Sequence, residues 1–555
     1  MGHTPITWSG ILDLILQFSG AQADTKGVDV MGSVRNLLFI MCDQLRADYL
    51  SCNGHPTLDT PHIDALAARG VNFTRAYCQS PVCGPSRMSF YTGRYMFSHG
   101  ANWNNVPLSV GEWTMGDYLR PLGLRTTLVG KTHMSADTEG MARLHIAPDS
   151  DLGVLVGQCG FEPYERDDGL HPHQIADPNL AYNRYLRSRG YAGDNPWQDF
   201  ANSVEGPDGE VLSGWYMRHA ALPARVAEED SETAYMTYRA MDFIQETGQT
   251  PWCLHLSYIK PHWPYIAPNP YRDMYGPDQV IPPNRQAHER DDPHPVVAAF
   301  MNHEESRNFQ RDEVRHGVVP AYMALVKQID DHLGRLMQFL QERGRLDDTL
   351  IVFTSDHGDY LGDHWLGEKE LFLEESARIP MIVYDPDATA DATRGTADDR
   401  LVEAIDVLPT FLAALGAEPA AQRIEGRSLL PLLRPDGANV SWREAAFSEL
   451  DYAFRPARLE LGLAPHESRA FMIRTADWKY IHYEHFRPQL FNLQADPQEL
   501  QDLGASAEHA AIRAELHEHL FAWLRTRRTR ITMTDENVAR RTDTAKHRGI
   551  LIGVW

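Results

Sequence analysis

Two short segments of the chain consist almost wholly of apolar residues, and each is followed by an aspartate. Residues 36–42 (NLLFIMC) precede Asp43, and residues 349–355 (TLIVFTS) precede Asp356. Continuous apolar runs of this length are typical of strands that are buried on both faces of a parallel sheet covered by helices. The pattern therefore predicts two central strands of an α/β sheet.

A helical period precedes the second of these strands. Apolar residues recur at intervals of three and four from Tyr322 to Leu340, which predicts an amphipathic helix. Helix, turn, buried strand and acidic residue follow one another as in open α/β sheets, which bind ligands beyond the carboxyl ends of their strands. We expect Asp43 and Asp356 to lie at that edge.

The remainder of the chain predicts loops and a second, smaller domain. Residues 264–315 are rich in Pro, His, Asp and Asn and indicate long loops, and a junction is expected near residues 423–435. Residues 470–474 and 478–483 indicate a hairpin, followed by a helix over 510–525. We predict a leader over 1–32, with Met31 as an alternative start, a catalytic domain over 33–425, a small α+β domain over 426–530 and a tail over 531–555.

Charge and composition exclude several classes of function. The 555 residues carry a formal net charge of −24, which argues against nucleic acid as a partner. An anionic substrate would then need a local cluster of cations. Six cysteines in so long a chain do not form a disulfide framework, and no segment is long enough to span a membrane. We expect a cytoplasmic enzyme, with the periplasm as the alternative.

One segment carries a specific motif. Cys83-Gly-Pro-Ser-Arg-Met-Ser-Phe-Tyr-Thr-Gly-Arg94 resembles the signature of the type I sulfatase family, C-x-P-S-R followed by T-G-R. The resemblance implies that a formylglycine-generating activity of the host oxidises Cys83 to formylglycine, whose hydrate supplies the nucleophile. It also implies an alkaline-phosphatase-like fold: a large mixed sheet sandwiched by helices, with a small C-terminal antiparallel sheet and helix.

The residues after the two strands form a candidate metal site. Gln44 follows Asp43 directly, and His357 follows Asp356. With the hydrate at position 83, these side chains offer a mostly oxygen ligand set for one divalent ion, Ca²⁺ or Mn²⁺ rather than Mg²⁺. The Asp-Gln and Asp-His pairs resemble those of the choline sulfatase and phosphonate monoester hydrolase branch of the family.

Candidate cations and histidines lie in the signature and in three further segments. Arg87 belongs to the signature, Lys131 and His133 resemble the family's G-K-x-H element, His262 its P-H-x-P element, and Lys369 follows Asp356 by thirteen residues. By resemblance, Arg87 and Lys131 hold the hydrate, and His133 takes the proton of its second hydroxyl when sulfate is expelled. The resemblance further implies that His262 and Lys369 contact the sulfate and leaving oxygens.

Other residues near these motifs are weaker candidates. Asn104 is a predicted substrate contact, with Asn102 and Asn105 as competitors. Asp363 and His364 are expected to support the metal loop or simply to pack within it, and Lys260 either adds charge or is solvated.

The resemblance implies hydrolysis of sulfate monoesters of the arylsulfatase type, through a sulfoenzyme intermediate released by C–O cleavage. The alternative is hydrolysis of phosphonate monoesters or phosphodiesters at the same site. Phosphonate enzymes of the family replace the Lys and His of the G-K-x-H element with Tyr and Thr, so Lys131 and His133 favour sulfate. The basic and then apolar tail predicts a homo-oligomer, dimer or tetramer, in which it docks on a neighbour.

Overall fold

The computed structural model describes residues 33–169, 179–434, 440–553 and 555, so the predicted leader lies outside the described residues. The strands are β1 (Asn36–Asp43), β2 (Val71–Phe73), β3 (Ala76–Tyr77), β4 (Arg125–Gly130), β5 (Glu162–Arg166), β6 (Ser203–Glu205), β7 (Val211–Ser213), β8 (Trp252–Pro261), β9 (Thr349–Ser355), β10 (Arg378–Ile379), β11 (Met381–Tyr384), β12 (Thr396–Asp398), β13 (Val402–Glu403), β14 (Ala445–Asp451), β15 (Arg469–Thr475), β16 (Trp478–Tyr483) and β17 (Gln489–Asn492).

The α-helices are α1 (Pro61–Arg69), α2 (Cys83–Thr92), α3 (Met96–His99), α4 (Met115–Leu119), α5 (Thr138–Arg143), α6 (Asp151–Val156), α7 (Ala181–Ser188), α8 (Glu232–Thr247), α9 (Pro295–Met301), α10 (Glu304–Phe309), α11 (Asp312–Glu342), α12 (Glu374–Ala377), α13 (Val407–Ala414), α14 (Leu430–Leu433), α15 (Pro456–Glu460), α16 (Ala510–Arg525) and α17 (Asp535–Arg541).

The two apolar runs form neighbouring strands in the middle of an eight-stranded mixed sheet. The strand order is β12-β2-β11-β9-β1-β8-β4-β5, and β9, β1, β8, β4 and β5 are mutually parallel. The strand β11 pairs antiparallel with both β9 and β2. All residues of β1 and β9 are buried, as their lack of polar alternation predicts.

Helices cover both faces of this sheet. Leu38 and Ile40 of β1 pack in a core with α1, α8 and α11, whereas Leu37 and Phe39 pack in a second core with α2, α4 and α13. Successive side chains of a strand point to opposite faces, so one apolar run contributes to both cores. The prediction of a large mixed sheet sandwiched by helices is confirmed.

The C-terminal part adds a four-stranded antiparallel sheet in the order β14-β15-β16-β17. Phe471 and Ile473 of β15 face α16, while Ala470 and Met472 face a core shared with Val82, beside the signature. The small C-terminal sheet and helix are confirmed, and the domain boundaries at 425 and 530 stay predictions.

The structure corrects one sequence-based expectation and leaves another open. Residues 264–315 are not loops throughout, because α9, α10 and the start of α11 lie within them. Pro295 opens α9, where a missing N–H costs nothing, so the proline content did not exclude helix. The tail carries α17 and ends in exposed apolar residues, with Ile552 90% exposed. Its docking on a neighbour stays a prediction. No described helix has both the length and the apolarity needed to cross a membrane.

Candidate active site

Four adjacent parallel strands bring the predicted residues to one edge of the sheet. In the order β9, β1, β8, β4, these strands lead at their carboxyl ends into Asp356, Asp43, His262 and Lys131. The four side chains are at most 4% exposed. Segments that lie more than 300 residues apart in sequence thus meet where open α/β sheets bind ligands.

The turn after β4 depends on a glycine. Gly130 has a φ of +110°, and an added Cβ would lie 2.0 Å from the carbonyl oxygen of Ser257. Only glycine tolerates both constraints. This close approach of β4 to β8 directs Lys131 into the site, where its Nζ lies 2.5 Å from Asp43 Oδ2.

Cys83 is the first residue of the wholly buried helix α2. The amino-terminal end of a helix carries a partial positive charge, which favours an anion at this position. The helix is held in place by Ser86, whose hydroxyl donates to the Asp356 carbonyl oxygen at 2.6 Å. The amide of Gly84 donates to Asn104 Oδ1 at 2.7 Å, which fixes the loop opposite the helix start.

The Cys83 thiol is surrounded by cationic and imidazole groups. Its Sγ lies 3.1 Å from His357 Nε2, 3.3 Å from Lys369 Nζ and 3.7 Å from Asp43 Oδ1. Burial raises the pKa of the Cys83 thiol, but the surrounding positive groups, Lys369 foremost, outweigh it and hold the pKa well below its usual value. This environment stabilises negative charge on whatever atom occupies the Sγ position.

Arg87 joins the two aspartates. Its Nε donates to Asp356 Oδ2 at 2.8 Å and its Nη2 to Asp43 Oδ2 at 3.0 Å, with all three side chains fully buried. Burial raises the pKa of Asp43, but Lys131 and the other nearby cations reverse the effect, so this pKa lies well below its usual value. The Asp43 carboxylate is therefore held ionised, whereas burial and the neighbouring Asp43 raise the pKa of Asp356. Arg87 pairs with both buried carboxyl groups, as buried charges require.

The side chains of Asp43, Cys83, Asp356 and His357 fit a divalent cation. Their ligand atoms all lie within 4.8 Å of one another, and all four residues are buried. Burial lowers the pKa of His357, but Asp356 and Cys83 outweigh it and raise the pKa to about 9. A bound cation would take the place of that proton, and carboxylates with one imidazole suit Mn²⁺ or Ca²⁺.

Gln44 lies beside this cluster, with a φ of +65°. Its Oε1 accepts from Lys369 Nζ at 3.0 Å, while its Nε2 donates to Asp359 Oδ2 at 2.6 Å and to the Tyr265 hydroxyl at 3.2 Å. The amide is therefore oriented with its oxygen towards the Cys83 pocket. Its service as a metal ligand stays a prediction.

His262 and Lys369 face each other across the pocket. The Nδ1 of His262 lies 2.8 Å from the Trp263 carbonyl oxygen, which only a protonated Nδ1 can approach as a donor. Burial lowers the pKa of His262 to about 4, against the opposing effect of Asp43, so its Nε2 is an acceptor for Lys369 Nζ at 3.3 Å. Lys260, left open by the sequence, donates to the Pro264 carbonyl oxygen at 3.1 Å and thereby secures the His262 loop.

His133 occupies a strained position at the rim. Its φ is +54°, and its backbone N–H donates at 3.1 Å to Asp168 Oδ1, which also accepts from Thr132 at 3.0 Å. The imidazole of His133 helps to lower the pKa of the Cys83 thiol, while its buried Nδ1 has no hydrogen-bond partner among the described residues. Sequence reasoning missed Asp168; its place in the Arg166-Asp-Asp168 run after β5 was the available signal.

The weaker candidate residues differ in the partners that their side chains bind. Asn104 contacts the signature helix, whereas the side chain of Asn102 binds Asp451 in the C-terminal sheet. Asp363 binds Arg46 at 2.6 Å, and His364 Nδ1 lies 2.7 Å from Glu289 Oε1, so both residues serve loop packing. Ser257, which no sequence motif indicated, accepts from Arg87 Nη1 at 2.7 Å and completes the support of that side chain.

Replacing Asp356 with asparagine is expected to lower metal occupancy and activity together, by about 10²-fold or more, because it removes charge from a hard-cation site. Asp406→Asn is a matched control, since Asp406 is also buried and accepts from two backbone amides and an arginine. Elemental analysis and steady-state assays measure the two effects. Full metal content in Asp356→Asn would contradict the assignment.

Comparison with known proteins agrees with this geometry. The sulfatase family model matches residues 35–417, and the model for the C-terminal region of N-sulphoglucosamine sulphohydrolase matches residues 362–526. The multifunctional alkaline phosphatase superfamily protein PehA of Trinickia caryophylli is 30% identical over 88% of this chain and 95% of its own. The choline-sulfatase of Rhizobium meliloti is 30% identical over 84% of this chain and 82% of its own.

A solved structure, the phosphonate monoester hydrolase SpPMH from Silicibacter pomeroyi, superimposes with a TM-score of 0.78 at 29% identity, covering 90% of this chain and 98% of that one. Relatives named as sulfatases are sulfuric ester hydrolases, so the chain is an enzyme of this class. The sulfatase model covers well over half of the sequence and includes Asp43, Cys83 and Asp356. The chain therefore belongs to the sulfatase family of the alkaline phosphatase superfamily.

Proposed function

We propose that the protein hydrolyses sulfate monoesters of the arylsulfatase type, with a nucleophile derived from Cys83. The observation that carries this proposal is the placement of both Lys131 and His133 at the Cys83 pocket. Phosphonate hydrolases of the family differ at these two positions. A base beside residue 83 is needed for sulfate, because the sulfated residue is released by breaking a C–O bond rather than by attack at sulfur.

The chain's own groups suit the charges that develop. Arg87, Lys131 and Lys369 supply three positive charges against the two carboxylates of Asp43 and Asp356, within a buried pocket. A divalent ion held by Asp43, Asp356 and His357 would add Lewis acidity at residue 83. Lys369 and the donors around it then bind sulfate oxygens in a site that excludes water, where fixed charges lower the barrier most.

Each protein group has a defined task in this scheme. His133 removes the proton of the second hydroxyl at residue 83 and holds it on the imidazole as sulfate leaves. The neutral Nε2 of His262 accepts from Lys369, which turns that ammonium group towards the leaving oxygen. Burial lowers the pKa of Lys369, but the negative groups around it outweigh burial and raise that pKa, so the ammonium group stays protonated.

The aromatic surroundings of His262 favour an aryl alcohol. The centre of the Trp263 ring lies 4.1 Å from the centre of the His262 ring. Trp215 packs edge-on against Trp263, with their ring centres 5.4 Å apart. These rings form an apolar wall beside the group that contacts the leaving oxygen. Tyr265 does not contribute, since its hydroxyl is bound to Asp359 inside the protein.

Hydrolysis of phosphonate monoesters or phosphodiesters is the second candidate. Such substrates also carry one negative charge, so the same three cations suit them. The names of two similar proteins, a multifunctional superfamily member and a phosphonate monoester hydrolase, support this activity at the same site.

A matched set of aryl sulfate, phosphonate monoester and phosphodiester substrates tests the proposal. With metal-loaded, aldehyde-containing enzyme, kcat/KM is expected to be highest for the aryl sulfate. The double substitution Lys131→Tyr with His133→Thr should reduce sulfate turnover far more than phosphonate turnover. Higher kcat/KM for the phosphonate in the native enzyme would replace the first candidate with the second.

A further inference from the structure

A second cationic cavity lies away from Cys83, between the signature segment and the C-terminal region. It has a volume of about 640 Å³ and is lined by four arginines and two glutamates, namely Arg94, Arg469, Arg527, Arg528, Glu112 and Glu449. Helix α2, with Cys83 at its other end, has ten residues and thus spans about 15 Å before the chain reaches Arg94. This cavity, the arginine pocket, is separate from the catalytic centre.

Two of the arginines are held by the lining carboxylates. Arg94 donates through Nη1 to both oxygens of Glu112 at 2.8 Å, and is 3% exposed. Arg527 Nη2 lies 3.0 Å from Glu449 Oε1, and its guanidinium packs over Trp523 at 4.3 Å. These contacts make a rigid wall in which Arg94 Nε and Arg527 Nη1 have no described hydrogen-bond partner.

The other two arginines have no such partner. Among the residues that the structure describes, neither Arg469 nor Arg528 forms a side-chain hydrogen bond or an ion pair within 4 Å. Arg469 instead lies over the Phe97 ring, 5.1 Å from its centre. Glu425, behind the wall, accepts from the backbone amides of Tyr95 and Arg528 and from the Ser98 hydroxyl, and its Oε1 lies 3.6 Å from Arg527 Nε. Four guanidiniums therefore face two lining carboxylates, with Glu425 as a third carboxylate behind Arg527, in a protein whose net charge is −24.

Apolar side chains complete the lining. Phe97, Phe471 and Leu524 border the arginines. A bare inorganic ion would leave this surface and most of the cavity unused, whereas cavities of about 300–1,000 Å³ suit small organic ligands. Planar guanidinium groups bind oxyanions through paired, charge-assisted hydrogen bonds.

We propose that the arginine pocket is a binding site for a small organic oxyanion, a sulfonate, sulfate ester or phosphate ester with an apolar body. Arg469 and Arg528 bind the head group, and Phe97 and Leu524 contact the body. Because the site does not include Cys83, it is independent of the reaction proposed above.

Calorimetric titration of the full chain with naphthalene-2-sulfonate tests this site. The probe has a C–S bond in place of an ester, so the enzyme cannot hydrolyse it. The probe should bind a Lys369→Gln variant, whose catalytic pocket is impaired, as well as the native chain. Arg469→Gln and Arg528→Gln should each weaken binding to that variant about tenfold, and together further.

Arg343→Gln is the matched control. Arg343 also lies over a phenylalanine ring, 5.0 Å from the centre of Phe339, but it does not line the arginine pocket. It should leave the affinity unchanged. Inorganic sulfate should bind at least about tenfold more weakly than the probe, because it buries no apolar surface. Equal affinity for sulfate, or undiminished probe binding in a folded Arg469→Gln, Arg528→Gln protein, would overturn the proposal.

Discussion

Replacing Cys83 with alanine is expected to abolish sulfate ester hydrolysis, with kcat/KM reduced by about 10⁴-fold or more. Residue 83 begins the buried helix α2, and its side chain is the point on which His357, Lys369 and Asp43 converge. Alanine preserves the helix but leaves no atom that can attack sulfur. Steady-state assays with an aryl sulfate measure the loss.

Peptide mass spectrometry of the native protein tests the chemical form of Cys83. In active native enzyme, peptide mass spectrometry should find the thiol lost and an aldehyde-reactive group gained at this position. Cys253→Ala, at a buried thiol within β8, is the control and should retain activity once folded. A fully active protein with an unmodified Cys83 thiol would be incompatible with the proposed mechanism.

Replacing His133 with asparagine is expected to slow release of sulfate by about 10²–10⁴-fold, the usual effect of losing a positioned general base. Asparagine tolerates the left-handed backbone of this position, where φ is +54°, better than alanine does. The first ester bond should still be cleaved. Rapid mixing with an aryl sulfate should therefore give a burst of phenol, followed by a much slower steady rate.

His145→Asn provides a matched control for this substitution. His145 also has a left-handed backbone, with φ of +57°, but its side chain is exposed on a surface loop. It should show native turnover without a new burst. Near-native kcat in His133→Asn, with no burst, would show that His133 is not the base and would favour the phosphonate candidate.

Local sequence determined the elements and much of the chemistry. The unbroken apolar runs at 36–42 and 349–355 are typical of strands buried on both faces, and they form β1 and β9. The spacing of residues in the Cys83 signature is also local, so the family and the position of the proposed nucleophile were accessible from sequence. The loops expected over 264–315 were partly wrong, because proline at the first turn of a helix does not oppose it.

Tertiary structure decided which residues meet. The order β9, β1, β8, β4 places Asp356, Asp43, His262 and Lys131 side by side, and no local pattern encodes strand order. Strand order results from long-range pairing and packing of whole elements. Tertiary packing also decides that Asn104, and not Asn102, binds the backbone next to Cys83. The arginine pocket likewise joins residues near 94, 469 and 528, which acquire a common function only through the folded surface. The sequence by itself determined the reactive groups, whereas their convergence around one buried atom required the sheet.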